Sequence, residues 1–202
     1  QIKEGLGRKK ALNKKQLKAI ANYSDGNEFT EFYRDLWLFI YFCNGINVAD
    51  LINLKFSDIQ NGEISFIRQK TKDRTRDSKR IYAPITPEMQ SIIDKWGNNP
   101  RKSIYIFPFM KTGDDAWEHE KKKKNLTKHI NDRMKVIGEK LNIGKITTYV
   151  ARHTYATVLR NEGVPVAIIS PMLGHTSITT TEIYLADLES ENRARNAHLL
   201  SF

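Results

Sequence analysis

Residues 149–184 read YVARHTYATVLRNEGVPVAIISPMLGHTSITTTEIY, and polar residues recur through them in a distinctive order. Arg152 and His153 come first, a Leu-Gly-His step follows at 173–175, and Tyr184 comes nine residues after the histidine of that step. Each residue alone carries little information, because arginine, histidine and tyrosine are common. The ordered set, in a chain of net charge +10, predicts a site that handles a phosphate group.

The order and spacing of these residues resemble the catalytic domain of the tyrosine recombinases, the phage-integrase family. In that family an arginine is followed by His and Thr or Ser, then by Leu-Gly-His, then by a threonine pair and the tyrosine nucleophile. The matching residues here are Arg152-His153-Thr154, Leu173-Gly174-His175, Thr180-Thr181 and Tyr184. The resemblance covers roughly residues 13–202. It implies an α+β fold that is mostly helical with a small antiparallel β-hairpin.

Composition favours a globular protein with a polyanionic partner. The chain has 202 residues, of which 40% are hydrophobic, enough for one substantial core and too many for a disordered chain. Lys and Arg total 33 against 23 Asp and Glu. Because neutralising phosphates releases their counterions, double-stranded DNA is the leading partner. A merely basic globular protein is the plain alternative.

Cysteine content and apolar runs bear on the compartment. Cys43 is the only cysteine, which excludes an intrachain disulfide and favours a reduced, cytoplasmic setting, and the resemblance implies a bacterial one. The apolar runs are much shorter than the roughly 20 residues of a membrane-spanning helix, so we expect no membrane partner. Residues 1–12 are predicted to be a basic linker from a missing amino-terminal DNA-binding region, with the catalytic domain at 13–202.

Apolar periodicity predicts helices over most of the chain and strands at one place. Residues 63–68 and 79–83 are typical of strands, and the polar residues between them predict the loop of an antiparallel hairpin. Caps and apolar stripes predict helices at 13–22, 28–42, 48–54, 86–97, about 120–141, 148–160, 165–173, 180–185 and 188–200, with a loop at 114–120 before the long one. The last helix forms a tail from about residue 187.

Tyr184 is the residue that the resemblance implies as the nucleophile. A tyrosine oxygen that attacks a DNA phosphorus keeps the bond energy in a 3′-phosphotyrosine, which a second DNA end later reverses. The resemblance therefore implies a reaction that needs neither ATP nor a metal. A tyrosine of the core or the surface is the plain alternative, since the chain has eight.

Arg152 and His175 are predicted to face the scissile phosphate. The planar guanidinium of Arg152 offers two donors to phosphate oxygens and never loses its charge. Its neighbours on the predicted helix are apolar, where an unpaired charge is costly, and this favours a phosphate partner. His175 can donate to a phosphate oxygen or assist proton movement, unless it only caps or buries the turn. His153 is expected to support the site without contacting the phosphate.

Lys70 is the predicted general acid. The resemblance implies a lysine on the hairpin near a Lys-Thr pair, and Lys70 precedes Thr71 in the sequence RQKTKDR. A lysine beside the phosphate can protonate the leaving 5′ oxygen. Lys72 is the competing choice, and a solvated hairpin lysine is the plain alternative.

Two positions depart from the family pattern. Asn47 stands where the family has its first arginine, and asparagine brings a hydrogen bond without a charge. Tyr149 stands three residues before Arg152 in place of His or Lys, and a tyrosine is a poor base at neutral pH. Either the site is impaired, or another cation supplies the missing charge.

Arg68 is the candidate for the compensating cation. It lies two residues before Lys70 and therefore on the same face of the predicted strand. Arg74 and Arg76 in the loop are the alternatives. An active enzyme with Arg68 in this role is the favoured interpretation.

Other residues bear on partners and cofactors. The lysines at 121–124 and 128 are expected to follow the DNA backbone or only to form a solvated face. His119, His129 and His198 lack the spacing of metal ligands, so we expect no metal and no cofactor. The apolar tail predicts docking on a neighbouring protomer, and the resemblance implies self-assembly as a tetramer on paired sites. Accessory DNA-bending proteins are further expected partners.

The favoured function is site-specific DNA recombination that integrates or excises a mobile element. The first rival is a recombinase-fold DNA-binding regulator whose pocket has decayed at Asn47 and Tyr149. The second is an enzyme similar to the type IB topoisomerases, which relaxes DNA without exchanging partners. Salt-sensitive binding without a covalent adduct would favour the regulator, and relaxation of any supercoiled plasmid would favour the topoisomerase.

Overall fold

A computed structural model describes residues 10–69, 80–175, 177–183 and 185 of the chain. Its helices are α1 (Lys14–Ala21), α2 (Glu28–Phe42), α3 (Val48–Leu51), α4 (Pro87–Trp96), α5 (Ala116–Lys140), α6 (Thr148–Asn161) and α7 (Val166–Met172), with a short 3₁₀ helix (Phe56–Asp58) after α3. The strands β1 (Ile59–Gln60), β2 (Glu63–Phe66) and β3 (Ile81–Pro84) form an antiparallel sheet in that order. The mostly helical α+β fold predicted from the sequence is confirmed.

Side-chain caps set where the helices begin. Asn13 and Gln16 form a capping box at α1, in which each side chain accepts a hydrogen bond from the other residue's backbone N–H. The start of α4 also agrees with the sequence prediction. The prediction was wrong for α5, which begins at Ala116 and replaces most of the expected loop. The Asp115 carboxylate accepts from the N–H of Glu118 and so begins the helix earlier.

The sheet contains one strand more than the sequence analysis predicted. β1 pairs with β2 through a turn at Asn61-Gly62, whose φ angles are +52° and +78°. Two positive φ angles in succession are what a two-residue hairpin turn requires, and Asn-Gly meets that need. β2 ends two residues before the predicted position, because the backbone N–H of Gln69 donates to the Asp50 carboxylate.

The helix α2 lies at the centre of the hydrophobic core. It packs against α1, α4, α5 and α6, and its residues Trp37, Phe39 and Ile40 are fully buried. The indole N–H of Trp37 donates to the carbonyl of Thr147 at 2.8 Å. Because Thr147 is also the N-cap of α6, this bond fixes the start of α6 against α2.

A smaller apolar cluster holds the carboxyl-terminal part of the described chain. Ala156, Ile169, Leu173 and Leu185 are buried together, which joins α6 to α7 and to Leu185. The end of α7 is thereby held beside α6. The predicted tail helix at 188–200 lies outside the described residues. None of the helices in the described part of the chain has the length and apolar character needed to cross a membrane.

Candidate active site

The Arg152 side chain joins two distant turns of the fold. It extends from α6 and is only 7% exposed. One terminal nitrogen, Nη1, donates to the carbonyl of Gly45 at 2.8 Å, and the other, Nη2, donates to the carbonyl of Leu173 at 2.5 Å. The guanidinium therefore connects the turn between α2 and α3 with the end of α7.

Gly45 allows the first of these turns to approach α6. A Cβ atom at this position would lie 2.8 Å from both Cα and Cγ of Arg152, which is closer than side-chain carbons pack. The φ angle of +63° is also one that residues with a Cβ rarely adopt. A glycine is required here, and its absence of a side chain brings Asn47 and α3 next to Arg152.

Arg68 lies beside Arg152, as the hypothesis of a compensating cation requires. Its Nη1 donates to the carbonyl of Gly174 at 3.0 Å. The two guanidinium groups therefore bind consecutive carbonyl oxygens at the end of α7. Gly174 makes this contact possible, because a Cβ there would lie 2.5 Å from Cδ of Arg68.

His175 follows Gly174 and turns its ring toward Arg152. Its Nε2 lies 3.3 Å from Nη2 of Arg152, and its Nδ1 lies 2.8 Å from the hydroxyl of Thr181. Burial, and then the positive charges of Arg152 and Arg68, lower the pKa of His175 from its ordinary 6.5 to about 4. The imidazole is therefore neutral at pH 7 in the absence of DNA.

Asp50 belongs to the site although the sequence analysis did not assign it there. Its side chain is 4% exposed, accepts from the N–H of Gln69 at 2.7 Å and is hydrogen-bonded to Asn47. Burial raises the pKa of this carboxyl, while the bond from Gln69 and the charge of Arg68 oppose the rise. The signal in the sequence was a carboxylate within the otherwise apolar helix α3.

Arg152, Arg68 and Asp50 border one cleft of about 550 Å³, which opens between α3, α5 and α6. Its lining includes Asn47, Asp50, Arg68, Lys123, Tyr149 and Arg152. The cleft thus brings together the two residues that depart from the family pattern, Asn47 and Tyr149. Arg152 and the proposed compensating cation, Arg68, line the same cleft. Among the residues that the structure describes, no group of three or more His, Cys, Asp or Glu side chains could hold a metal ion.

Asn47 and Tyr149, the two residues that depart from the family pattern, occupy different positions in the cleft. Asn47 is half-buried and forms the N-cap of α3, but its side chain bonds to Asp50 and makes no cap hydrogen bond. Tyr149 is 67% exposed at the start of α6, and its ring lies 6.2 Å from the ring of the buried His153. Tyr149 is therefore the more accessible of the two to an entering ligand.

Comparison with known proteins identifies the family. A family model described as the phage integrase family matches residues 10–191, which is most of the chain. The chain belongs to the phage integrase family. Its relatives within that family include the tyrosine recombinase XerA of Pyrococcus furiosus, 30% identical over 154 residues that cover 74% of this chain and 48% of the relative. The tyrosine recombinase XerD of Halalkalibacterium halodurans is 25% identical over 190 residues, 94% of this chain and 61% of the relative.

The phage integrase fold is also found by comparison with solved structures. The crystal structure of XerA recombinase superimposes with a TM-score of 0.58 at 20% identity, over 92% of this chain and 64% of that one. A lambda integrase dimer bound to a COC′ core site gives a TM-score of 0.61 at 17% identity, over 90% and 60%. At these identities the likeness establishes the fold alone. The chain spans about half to three-fifths of the length of the curated relatives named above.

Several residues predicted for this integrase-family site lie outside the described part of the chain. They are Tyr184, Lys70, Lys72, Arg74 and Arg76. The roles assigned to them from the sequence stay predictions. Of the predicted site residues that are described, Arg152, His175 and Arg68 meet at the end of α7, and Asn47 and Tyr149 line the adjoining cleft.

The lysines of α5 differ in their ion pairs and in their exposure to solvent. Lys122 forms an ion pair with Asp114 at 2.6 Å, and Lys123 forms one with Glu120 at 2.5 Å. The lysines at 121, 124 and 128 are exposed. Nζ of Lys121 lies 4.6 Å from the ring centre of Trp117, itself a prominently exposed aromatic residue. Lys124 also lies 3.7 Å from Glu120. At this end of the helix, the exposed lysines are the ones that a polyanion can reach.

Proposed function

We propose that the protein is a site-specific DNA recombinase that cleaves and rejoins DNA through a 3′-phosphotyrosine intermediate. The observation that carries this proposal is the meeting of Arg152, His175 and Arg68 at the end of α7, where the two arginines also line one cleft. Two cations and an imidazole at a partly buried site match the needs of a phosphoryl transition state. Membership of the phage integrase family supports the same conclusion.

The proposed reaction begins with attack of the Tyr184 hydroxyl oxygen on the scissile phosphorus. The hydroxyl of Tyr184 loses its proton to water as its oxygen bonds to phosphorus, the bond to the 5′ oxygen breaks, and Lys70 gives its proton to that leaving oxygen. Arg152 donates to the non-bridging oxygens, where negative charge grows in the transition state. A 5′ hydroxyl from a second DNA end then reverses the step. The reaction conserves its bond energy and consumes no ATP.

We further propose that Arg68 replaces the charge that Asn47 lacks. Both residues line the cleft, and Arg68 reaches the carbonyl next to the one that Arg152 contacts. A second guanidinium at this place can share the phosphate with Arg152. Asn47 keeps a hydrogen-bonding amide, which is bonded to Asp50. On this proposal the site keeps its second positive charge, which Arg68 carries instead of residue 47.

The proposed substrate is double-stranded DNA at paired sites of a mobile element, which the protein would integrate or excise in the bacterial cytoplasm. Residues 1–12 would link the catalytic domain, residues 13–202, to an amino-terminal DNA-binding region, so that the two parts enclose the duplex. Four protomers would assemble on the paired sites, each docking its tail on a neighbour, with DNA-bending proteins as accessory partners. The solved structure of a lambda integrase dimer bound to a core site supports DNA as the partner.

A trapping experiment tests the central step. The full-length protein and its Tyr184→Phe variant are incubated with nicked genomic DNA fragments, and detergent-resistant protein–DNA adducts are collected and sequenced. We expect an adduct that requires Tyr184 and that is enriched in one sequence.

Two other results would contradict the proposal. Tight, salt-sensitive binding without any adduct would assign the protein to DNA-binding regulators, the alternative that Asn47 and Tyr149 favour. Adducts without sequence enrichment, together with relaxation of any supercoiled plasmid, would assign it to enzymes that act like type IB topoisomerases.

A further inference from the structure

Thr181 holds the histidine of the site from the side opposite Arg152. Its side chain is completely buried, and its hydroxyl lies 2.8 Å from Nδ1 of His175. It belongs to the helical residues 178–183 and precedes Tyr184 by three positions in the sequence. One hydroxyl therefore connects the imidazole to the segment that leads to the proposed nucleophile.

The hydrogen bonds at the two ring nitrogens determine where the imidazole proton lies. A guanidinium can only donate, so Nε2 of His175, which lies 3.3 Å from Nη2 of Arg152, must present its lone pair. In the neutral ring the proton is then on Nδ1, where the hydroxyl of Thr181 can accept it. The less common tautomer of histidine is thus the one that fits this site.

The backbone around His175 leaves the ring little freedom to adopt another arrangement. The N–H of His175 donates to the carbonyl of Ser170 at 3.0 Å, and the hydroxyl of Ser170 donates to the carbonyl of Ser177 at 3.4 Å. Ser170 is itself buried and thereby holds the turn on both sides of the histidine. With the backbone fixed, the partner of Nδ1 decides which face and which nitrogen the ring presents to Arg152.

We infer that Thr181 is a positioning residue that keeps His175 in the tautomer protonated at Nδ1, with the lone pair of Nε2 directed toward Arg152. In this tautomer the lone pair of Nε2 accepts from Nη2 of Arg152, so the ring holds the guanidinium in place. His175 then acts on the proposed reaction through Arg152. The inference about mechanism rests on the proposed function, whereas the tautomer itself does not.

Nitrogen-15 NMR of the histidine side chains tests the tautomer on the DNA-free protein at about pH 7. We expect the His175 ring to be protonated at Nδ1 in the wild type. Thr181→Val, which keeps the shape and removes the hydroxyl, should shift the ring toward the Nε2-protonated tautomer. Thr181→Ser should restore the wild-type signals. A wild-type ring protonated at Nε2, or a ring unchanged by Thr181→Val, would overturn the inference.

The rate of adduct formation tests the positioning role, with Thr157→Val as the matched control. Thr157 is also a buried threonine, and its hydroxyl has no hydrogen-bond partner in the described part of the chain. Thr181→Val should slow adduct formation on the order of 10- to 100-fold, the usual effect of losing an orienting partner. Thr157→Val and Thr181→Ser should stay close to the wild-type rate.

The NMR measurement and the adduct rate test the role of Thr181 and the recombinase function separately. An adduct rate that Thr181→Val leaves unchanged would contradict the positioning role, even though the recombinase function would stand. A wild-type protein that shows the Thr181-dependent tautomer but forms no adduct would contradict the recombinase function, and the hydrogen-bond assignment would stand.

Discussion

Two guanidinium groups, those of Arg68 and Arg152, bind neighbouring carbonyl oxygens at the end of α7. Like charges this close repel each other, and the buried carboxylate of Asp50 offsets part of that repulsion. The same two positive charges also lower the pKa of His175. A phosphodiester entering the cleft would add a negative charge where the protein has concentrated positive charge. The electrostatics of these residues therefore favour an anionic ligand over a neutral one.

Replacing Arg68 tests whether it carries the missing charge. Arg68→Ala should slow adduct formation on the order of 100- to 1,000-fold, because a donor to the transition-state charge is lost. Asn47→Arg, introduced into Arg68→Ala, should restore part of the rate by returning a cation to the same cleft. Single-turnover adduct assays on the three proteins measure the effect.

Arg80→Ala is the matched control for the arginine experiment. Arg80 lies just before β3 and its guanidinium bonds to the backbone and hydroxyl oxygens of Ser65 instead of to the end of α7. This variant should cleave at nearly the wild-type rate. An Arg68→Ala protein that folds normally and cleaves at the wild-type rate would exclude Arg68 as the compensating cation.

The lowered pKa of His175 predicts a pH dependence of stability. The free imidazole has a pKa of 6.5 and the folded one a pKa of about 4, so between these values the unfolded chain binds more protons. Stability contributed by the neutral ring is present above pH 6.5 and is lost as the pH falls toward 4. The raised pKa of Asp50 acts in the opposite direction, so the comparison must be between proteins that both contain it.

Thermal unfolding of the wild type and His175→Gln isolates this contribution. On lowering the pH from about 7 to about 5, the Tm of the wild type should fall further than that of His175→Gln. Equal decreases in both proteins would show that His175 keeps an ordinary pKa in the fold.

At the level of secondary-structure elements, the turn between α2 and α3 is built against α6. Gly45 combines a φ of +63° with a Cβ position only 2.8 Å from two carbon atoms of Arg152. Gly26, before α2, has a φ of +74° and no atom within 4 Å of its Cβ position. Both glycines have a backbone conformation that is strained for a residue with a Cβ. Only Gly45 is also closely packed against another element.

Alanine at these two glycines should separate backbone strain from element packing. Gly26→Ala should lower the free energy of unfolding by about 1–2 kcal/mol, the cost of a left-handed conformation for a residue with a Cβ. Gly45→Ala should lower it by a further ~1–3 kcal/mol, because α6 must move to accept the methyl group. Urea denaturation measures both values. Equal losses would mean that the turn and α6 are not closely packed.

At the scale of the whole molecule, the net charge of +10 is placed partly along α5. Lys121 and Lys124 are exposed near the end of this helix that adjoins the cleft, and Lys135 and Lys140 are exposed at its other end. At about 1.5 Å per residue, Lys121 and Lys135 lie roughly 21 Å apart along the axis. Nζ of Lys124 lies 3.7 Å from Glu120, and Nζ of Lys135 lies 4.0 Å from Glu139. The two sets of lysines at the ends of α5 are therefore closely matched.

The salt dependence of DNA binding should distinguish the two ends of α5. Replacing Lys121 and Lys124 by alanine should reduce the slope of log K against log salt by about 1.8, from ~0.9 for each phosphate contact. Replacing Lys135 and Lys140 should leave the slope nearly unchanged. Equal changes in both double variants would mean that the helix contributes only general charge.

Several features of the protein follow from short stretches of its sequence. The capping box at Asn13, the hairpin strands and the order of Arg152, the Leu-Gly-His step and Tyr184 are readable because each depends on neighbouring residues or on a fixed spacing. The Asn61-Gly62 turn is an equally local signal of a hairpin, although β1 itself was not predicted. The start of α5 was misplaced because acidic and basic residues around Asp115 resemble a loop until the cap is recognised.

The sequence by itself determined the family, the mostly helical fold, the excess of positive charge and the candidate residues of the site. Tertiary structure alone decided that Arg152 bonds to Gly45, 107 residues away, and that Arg68 bonds to Gly174, 106 residues away. The physical reason is that the partners in these contacts are backbone carbonyls, which every residue possesses. Side-chain identity therefore cannot reveal them, and only the packing of α3, α6 and α7 brings the right carbonyls within reach.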